Sequence, residues 1–253
     1  MNYSKFSTEK EITQLLGIAW HPRDKAFLAV LYESGCRIGE ILSLSIKDVD
    51  FDSQGARISI IGKTGMRKIR IISSVPYLIT WLNHYPSKAR DKPLWIMIHG
   101  KEQGSLMKYS TVRALLNRLM CKSEINKRCN PHLFRHSRAT YLANYLTEFQ
   151  MNQYFGWIQG SDMPSTYVHL SGKEIETAVL KLNGFKVSEE TNESLLKPKV
   201  CACGNINAFE NVTCEKCGDS LVKKEITKDM IMQFIMQDRD IVEMINKKIK
   251  EVS

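Results

Sequence analysis

The sequence predicts an α+β fold that is mainly helical, with one small β-hairpin sheet, a cysteine knuckle after it and a terminal helix. Three observations lead there. Apolar residues recur at three- and four-residue spacing in capped segments along the first two thirds of the chain. One pair of β-branched runs flanks a glycine-containing turn. Two close cysteine pairs stand beyond a polar stretch near the C-terminus.

With 253 residues the chain can form one large domain plus an appendage. A formal net charge of +9 favours an acidic partner, of which nucleic acid is the simplest, and by itself also fits a ribosome-associated or membrane-surface protein. No stretch is apolar for long enough to span a bilayer, and the N-terminus lacks the pattern of a secretory signal. Of seven cysteines, four lie between Cys201 and Cys217, which fits a reducing cytosol and a metal site better than a disulfide framework.

Taken in order, Ser7 to Ala19 reads as a helix with Thr8 as N-cap, Glu11 completing a capping box, and Ile12, Leu15, Leu16 and Ala19 facing the core. A second helix from Arg23 to Ser34 carries Phe27, Leu28, Val30 and Leu31 and is closed by Gly35. Arg57–Ile61 and Ile69–Ile72 form a hairpin around a tip that contains Lys63, Arg67 and Lys68. Helices follow at Pro76–Tyr85 and Ser110–Lys122, with the strand-like run Leu94–Ile98 between them. Arg113 and Arg118 are read as a solvated face.

Two later clusters carry the chemistry. Asn130 is a good N-cap and Pro131 suits the first helical position, so His132 and Arg135 fall on one face of an opening turn that favours an anion. An arginine fork matches two phosphate oxygens, and a histidine beside it can exchange a proton. Further on, Pro164 reads as another helix start, with Tyr167 in the first turn presenting its phenol to solvent. A phenol with a pKa of about 10 is a poor nucleophile until its proton is taken and its target neutralised. Between the clusters, residues such as Tyr145, Phe149 and Tyr154 read as packing.

These clusters, together with Ser34-Gly35-Cys36-Arg37 and Glu40 upstream, resemble the tyrosine recombinase, or phage-integrase and Xer-like, catalytic domain. The wording from Gly156-Trp157 to Tyr167-Val168-His169 is closest to archaeal members. The resemblance implies a catalytic set of Arg37, Lys63, His132, Arg135, Trp157 and Tyr167. Arg37 and Arg135 would clamp the phosphate, His132 would manage the tyrosine proton, and Lys63 would protonate the leaving oxygen. Trp157 either donates to a phosphate oxygen or wedges Tyr167 in place. His169 is read as structural. The implied reaction is DNA cleavage and rejoining through a 3′-phosphotyrosyl link, with no cofactor for catalysis, on double-stranded DNA in a synaptic tetramer in the cytoplasm at the nucleoid. A type IB topoisomerase-like activity and a DNA-binding regulator that no longer cuts are the rival readings.

The expected organisation is a catalytic domain over 1–185, a linker over 186–199, a zinc-ribbon-like module over 200–220 and an amphipathic helix over 221–253. Cys201, Cys203, Cys214 and Cys217 would hold a structural zinc ion, and the glycine after each pair would permit the tight knuckle. The first pair is C-x-C, one residue short of the usual spacing. The terminal segment places Ile226, Met230, Phe234, Ile241, Ile245 and Ile249 near helical spacing and would dock onto the same chain or onto a neighbour, the latter being what the resemblance implies.

Overall fold

The structure is a computed structural model that describes residues 9–87, 89–123, 125, 129–168, 179–180, 182–185 and 194–222. Thr8, His169 and, from residue 223 onward, the segment expected to form the terminal helix lie outside the described residues. The elements in order are α1 (Glu9–Ile18), α2 (Pro22–Ser34), α3 (Ile38–Leu42), β1 (Val49–Asp52), β2 (Gly55–Gly62), β3 (Gly65–Ile71), α4 (Val75–Asn83), α5 (Tyr109–Lys122), α6 (Pro131–Leu142), α7 (Glu148–Phe155), α8 (Met163–Val168), β4 (Lys199–Val200) and β5 (Ile206–Asn207). By contact the chain divides into two compact units, Met1–Asn211 and Val212–Ser253.

Helix α2 is the centre of the first unit, buried from Ala26 to Ser34 and packed against α1, α4, α6 and β3. His21 caps its start, and Gly35, at φ 57°, ends it in the left-handed conformation that glycine adopts without a Cβ penalty. Near its C-terminal end the Glu33 carboxylate accepts the backbone N–H groups of Ile72, Ser73 and Ser74, which enter α4. At its other end Asp24 binds Arg23 and, at 2.7 Å, Arg118 of α5. Arg118 thus lies on the exposed face of α5, its side chain half in solvent, and still reaches a buried carboxylate.

The sheet has three antiparallel strands in the order β1-β2-β3, one more than the hairpin the sequence predicts. Ile58, Ile60, Ile69 and Ile71 turn inward at period two, while Arg57 and Lys68 turn outward. Gly62 pairs with Gly65 and leaves Lys63-Thr64 as a two-residue turn. The run Leu94–Ile98 is not a strand. Leu94, Trp95 and Ile96 are buried, but the backbone bonds of the run go to Leu44, Met107 and Ser105 around isolated bridges, with no neighbouring strand among the described residues to extend a ladder.

Ser194–Lys199, the last part of the predicted linker, is docked. Glu9 accepts the Ser194 hydroxyl at 2.8 Å and the Leu195 N–H at 2.7 Å, and Leu196 is buried in the main core. The following residues continue the contact: Ala208 joins the same core, β5 packs on α4, and Glu210 bonds the Tyr77 hydroxyl and pairs with Lys25. Serine and glutamate contacts of this kind have no hydrophobic period, which is why the segment reads as a linker in sequence.

Candidate active site

The site is assembled where α2 ends, α3 begins and α6, α7 and α8 meet. Asn130 caps α6 as predicted, its side chain accepting from the N–H groups of His132 at 3.0 Å and Leu133 at 3.2 Å. One turn on, Arg135 is buried at 3 % exposure. Its Nη1 donates to the Gly35 carbonyl at 2.8 Å and its Nη2 to the Phe155 carbonyl at 2.7 Å, so one guanidinium joins the ends of α2 and α7. It also lies over the rings of Phe155 and Trp157, at 5.0 and 5.4 Å. Burial first, and then the positive charge of Arg37, lower its pKa to about 10. Two guanidiniums that act on one another in this way can together receive an anion.

Arg37 stands at the head of α3, half in solvent, and its backbone and side chain both donate to Glu40, at 2.9 and 3.2 Å. Glu40 is shared with Arg67 of β3, whose Nη2 lies 2.7 Å away. Burial alone would raise the Glu40 carboxyl, but the bonds from Arg67 and from the Arg37 backbone outweigh it and hold the group below the usual carboxylate range. Arg67 also donates to the Tyr154 carbonyl at 3.1 Å and to the Cys36 sulfur at 3.6 Å. Arg67, which the sequence places only at the hairpin tip, is therefore the anchor of the hairpin.

Two glycines make room for that anchor. A Cβ at Gly62 would lie 2.6 Å from the Glu40 carboxylate, and one at Gly156, where φ is 60°, would lie 2.7 Å from the Arg67 guanidinium. Beside them Thr64 bonds the Gly156 carbonyl at 3.3 Å. Lys63 sits exposed in the turn so held, while Arg70 is tied to Asp52 at 2.6 Å. An open groove of about 750 Å³ lies between the hairpin and α7, lined by Met66, Arg67 and Ile158 among others; Arg37, His132, Arg135 and Tyr167 are not among its lining residues.

Tyr167 is not presented to solvent. It is 2 % exposed, in the second turn of a helix that begins at Met163, and faces α6 and α7. Its ring stacks on Trp157 at 5.6 Å with 5° between the planes, and Trp157 stacks in turn on Phe155 at 4.7 Å. Trp157 thus has the geometry of the wedge. The Tyr167 hydroxyl is hydrogen-bonded to Nδ1 of His136, a residue the sequence reading did not select. The signal was present, because His136 lies four residues after His132 and so on the same helical face. The two imidazoles meet edge to face at 4.4 Å. Burial lowers the pKa of both; Arg135 and Arg37 add to the effect on His132, and His132 and Arg135 to that on His136. Tyr145 and Phe149, read as packing, are exposed at 55 % and 59 %.

Against this geometry, the sequence profile of the phage integrase family matches residues 5–174. The chain belongs to the phage integrase family. Among curated family members it is 26 % identical to tyrosine recombinase XerC of Pelotomaculum thermopropionicum over 63 % of this chain and 53 % of that protein. It is 29 % identical to a tyrosine recombinase of Thermosipho africanus over 70 % of this chain and 61 % of that one. The chain therefore spans roughly half to three fifths of these relatives. The integrase fold is matched by solved structures at low identity. XerA recombinase superposes with a TM-score of 0.55 at 21 % identity, covering 74 % of this chain and 66 % of that one. XerH in its post-cleavage complex with difH substrate gives 0.55 at 20 %, covering 72 % and 54 %.

Outside the integrase match, Cys201, Cys203, Cys214 and Cys217 place their sulfurs within 4.8 Å of one another. Four thiolates about 2.3 Å from a zinc ion would sit roughly 3.8 Å apart, so this donor set fits the metal. In the first pair the Gly204 N–H bonds the Cys201 carbonyl at 2.9 Å, and in the second Gly218 bonds Cys214 at 2.9 Å. Both glycines have positive φ, 81° and 79°, as tight knuckles require.

Proposed function

We propose that this chain is the catalytic part of a site-specific DNA recombinase that cuts and rejoins double-stranded DNA through Tyr167. The observation that carries the reading is the meeting on Trp157 of an anion clamp and a nucleophile: the Arg135 guanidinium and the Tyr167 phenol both lie against the same indole. The Tyr167 oxygen would attack the scissile phosphorus, giving a 3′-phosphotyrosyl bond, while the 5′-oxygen leaves with a proton from Lys63. Arg37 and Arg135 would offset the charge that builds on the phosphoryl oxygens, where fixed donors contribute most. His132, on the exposed face of α6 beside both arginines, would touch the same phosphate. Trp157 would hold the phenol in line. Rejoining is the reverse attack by a 5′-hydroxyl, so the bond energy is kept in the link and catalysis needs no cofactor.

The solved relative XerH is described bound to its difH substrate, and by this reading the present chain also grips duplex DNA, in a synaptic tetramer at the nucleoid in the cytoplasm. The archaeal wording of the Trp157–Tyr167 motif belongs to the same reading. Cys201, Cys203, Cys214 and Cys217 would hold zinc as a structural ion with no open coordination position. A binding-only protein has one observation in its favour, the burial of Tyr167.

Covalent trapping separates the two. Nicked duplexes tiled from DNA beside the gene are incubated with wild type and with Tyr167→Phe, then denatured. An adduct with wild type alone is the expected result. Salt-sensitive binding to the same duplexes with no adduct in either would establish the binding-only protein.

A further inference from the structure

Family motifs draw attention to His132, yet it is His136 that the structure hydrogen-bonds to the nucleophilic oxygen. We propose that His136 is a catalytic residue, the base that takes the Tyr167 proton during strand cleavage and returns it on rejoining. The inference rests on the recombinase reading above and assigns within it a role that the family resemblance implies for His132.

The geometry separates two histidines that the helix places on one face. His136 is half-buried, with Nδ1 on the phenol, and His132 is exposed at the first turn, nearer the clamp arginines in its electrostatics. With its hydrogen on Nε2, a neutral imidazole offers the Nδ1 lone pair to the phenolic O–H. Burial, with the charges of His132 and Arg135, keeps His136 in that neutral state near pH 7. A bound phosphate would offset the Arg135 charge and so make the imidazole a better base as the substrate arrives.

In the step itself the Tyr167 oxygen forms a bond to phosphorus as its proton moves to Nδ1 of His136. The bond from phosphorus to the 5′-oxygen breaks, and that oxygen takes a proton from the Lys63 ammonium. One proton is gained by His136 and one lost by Lys63, so the site keeps its total charge. Religation runs both transfers backward.

The test is single-turnover adduct formation on a nicked duplex by full-length wild type, His136→Ala, His136→Asn and His132→Ala, each also with added imidazole. Asparagine can place an oxygen where Nδ1 stands, so it keeps a hydrogen bond to Tyr167 and takes up no proton. The expected result is a loss on the order of a hundredfold for both His136 variants, the lower range for general-base removal. Imidazole should recover at least about tenfold of the rate for His136→Ala only. Thermal melting within a few degrees of wild type for His136→Asn shows that the loss is chemical. Wild-type speed in His136→Asn would overturn the proposal, because the residue would then only position the phenol. Rescue of His132→Ala and not of His136→Ala would do the same. An adduct from wild type that forms equally fast in both His136 variants defeats this inference alone. No adduct from wild type on any duplex defeats the recombinase reading and this inference with it.

Discussion

Arg37 and Arg135 are asked to do the same chemistry and carry very different structural loads. Arg135 is buried and bonds two backbone carbonyls on different helices, whereas Arg37 is half exposed and bonds Glu40. Either substitution by alanine should cut adduct formation on the order of a hundredfold, as loss of a transition-state charge contact does. Arg135→Ala should also strand the Gly35 and Phe155 carbonyls, at about 1–3 kcal/mol for each group left unsatisfied. Arg37→Ala should melt close to wild type. Urea titrations beside the trapping assay check both; equal stability of the two variants would contradict the assigned load. Both arginines were legible in the sequence because each sits in a local motif, Gly35-Cys36-Arg37 or His132-Leu133-Phe134-Arg135. Arg67 was not, since its partners Glu40 and Tyr154 are 27 and 87 residues away.

Among elements, the β2–β3 hairpin is attached to the site by Arg67, which bonds Glu40, the Tyr154 carbonyl and Cys36, and by the Thr64 hydroxyl. Arg67→Ala would leave Glu40 with Arg37 as its remaining partner and should destabilise the protein by about 3 kcal/mol, the lower end for breaking a buried ion pair. Because the same contact fixes the turn that bears Lys63, amide exchange at Lys63 and Thr64 should accelerate in the folded protein. Exchange at those amides that matches wild type would show that Thr64 alone suffices. Whereas α4 and α5 begin without a side-chain cap, the end of α2 and the start of α6 were readable because Gly35 and Asn130 mark them. The inward turn of Tyr167 was not, because a proline near a helix start fixes where the helix begins and leaves open which face meets α6.

For the whole molecule, charge and titration set the behaviour. His21, His132 and His136 all have lowered pKa values, with burial the leading cause in each. The unfolded chain therefore binds more protons than the fold once the pH drops below about 6.5. Stability should be complete above that value and decline as the pH falls toward the folded-state values of these histidines. The lowered carboxyl groups Glu40 and Asp52 act only nearer their ordinary range, below about pH 4.5. Urea midpoints that stay level between pH 7 and pH 5 would refute the histidine contribution. Metal analysis of the purified protein should find one zinc per chain, and none would remove the cysteine site.

The docking of Ser194–Asn211 has a practical consequence for dissecting this protein. With Leu196 in the core and Glu9, Lys25 and Tyr77 engaged, the C-terminal portion is joined to the rest by more than the backbone. A protease that severs the chain once between 186 and 193 should yield a nicked species that still elutes as one particle and separates into two fragments only in denaturant. A recombinant piece that stops at residue 185 would expose the floor on which Leu196 and Ala208 rest, and should be prone to self-association.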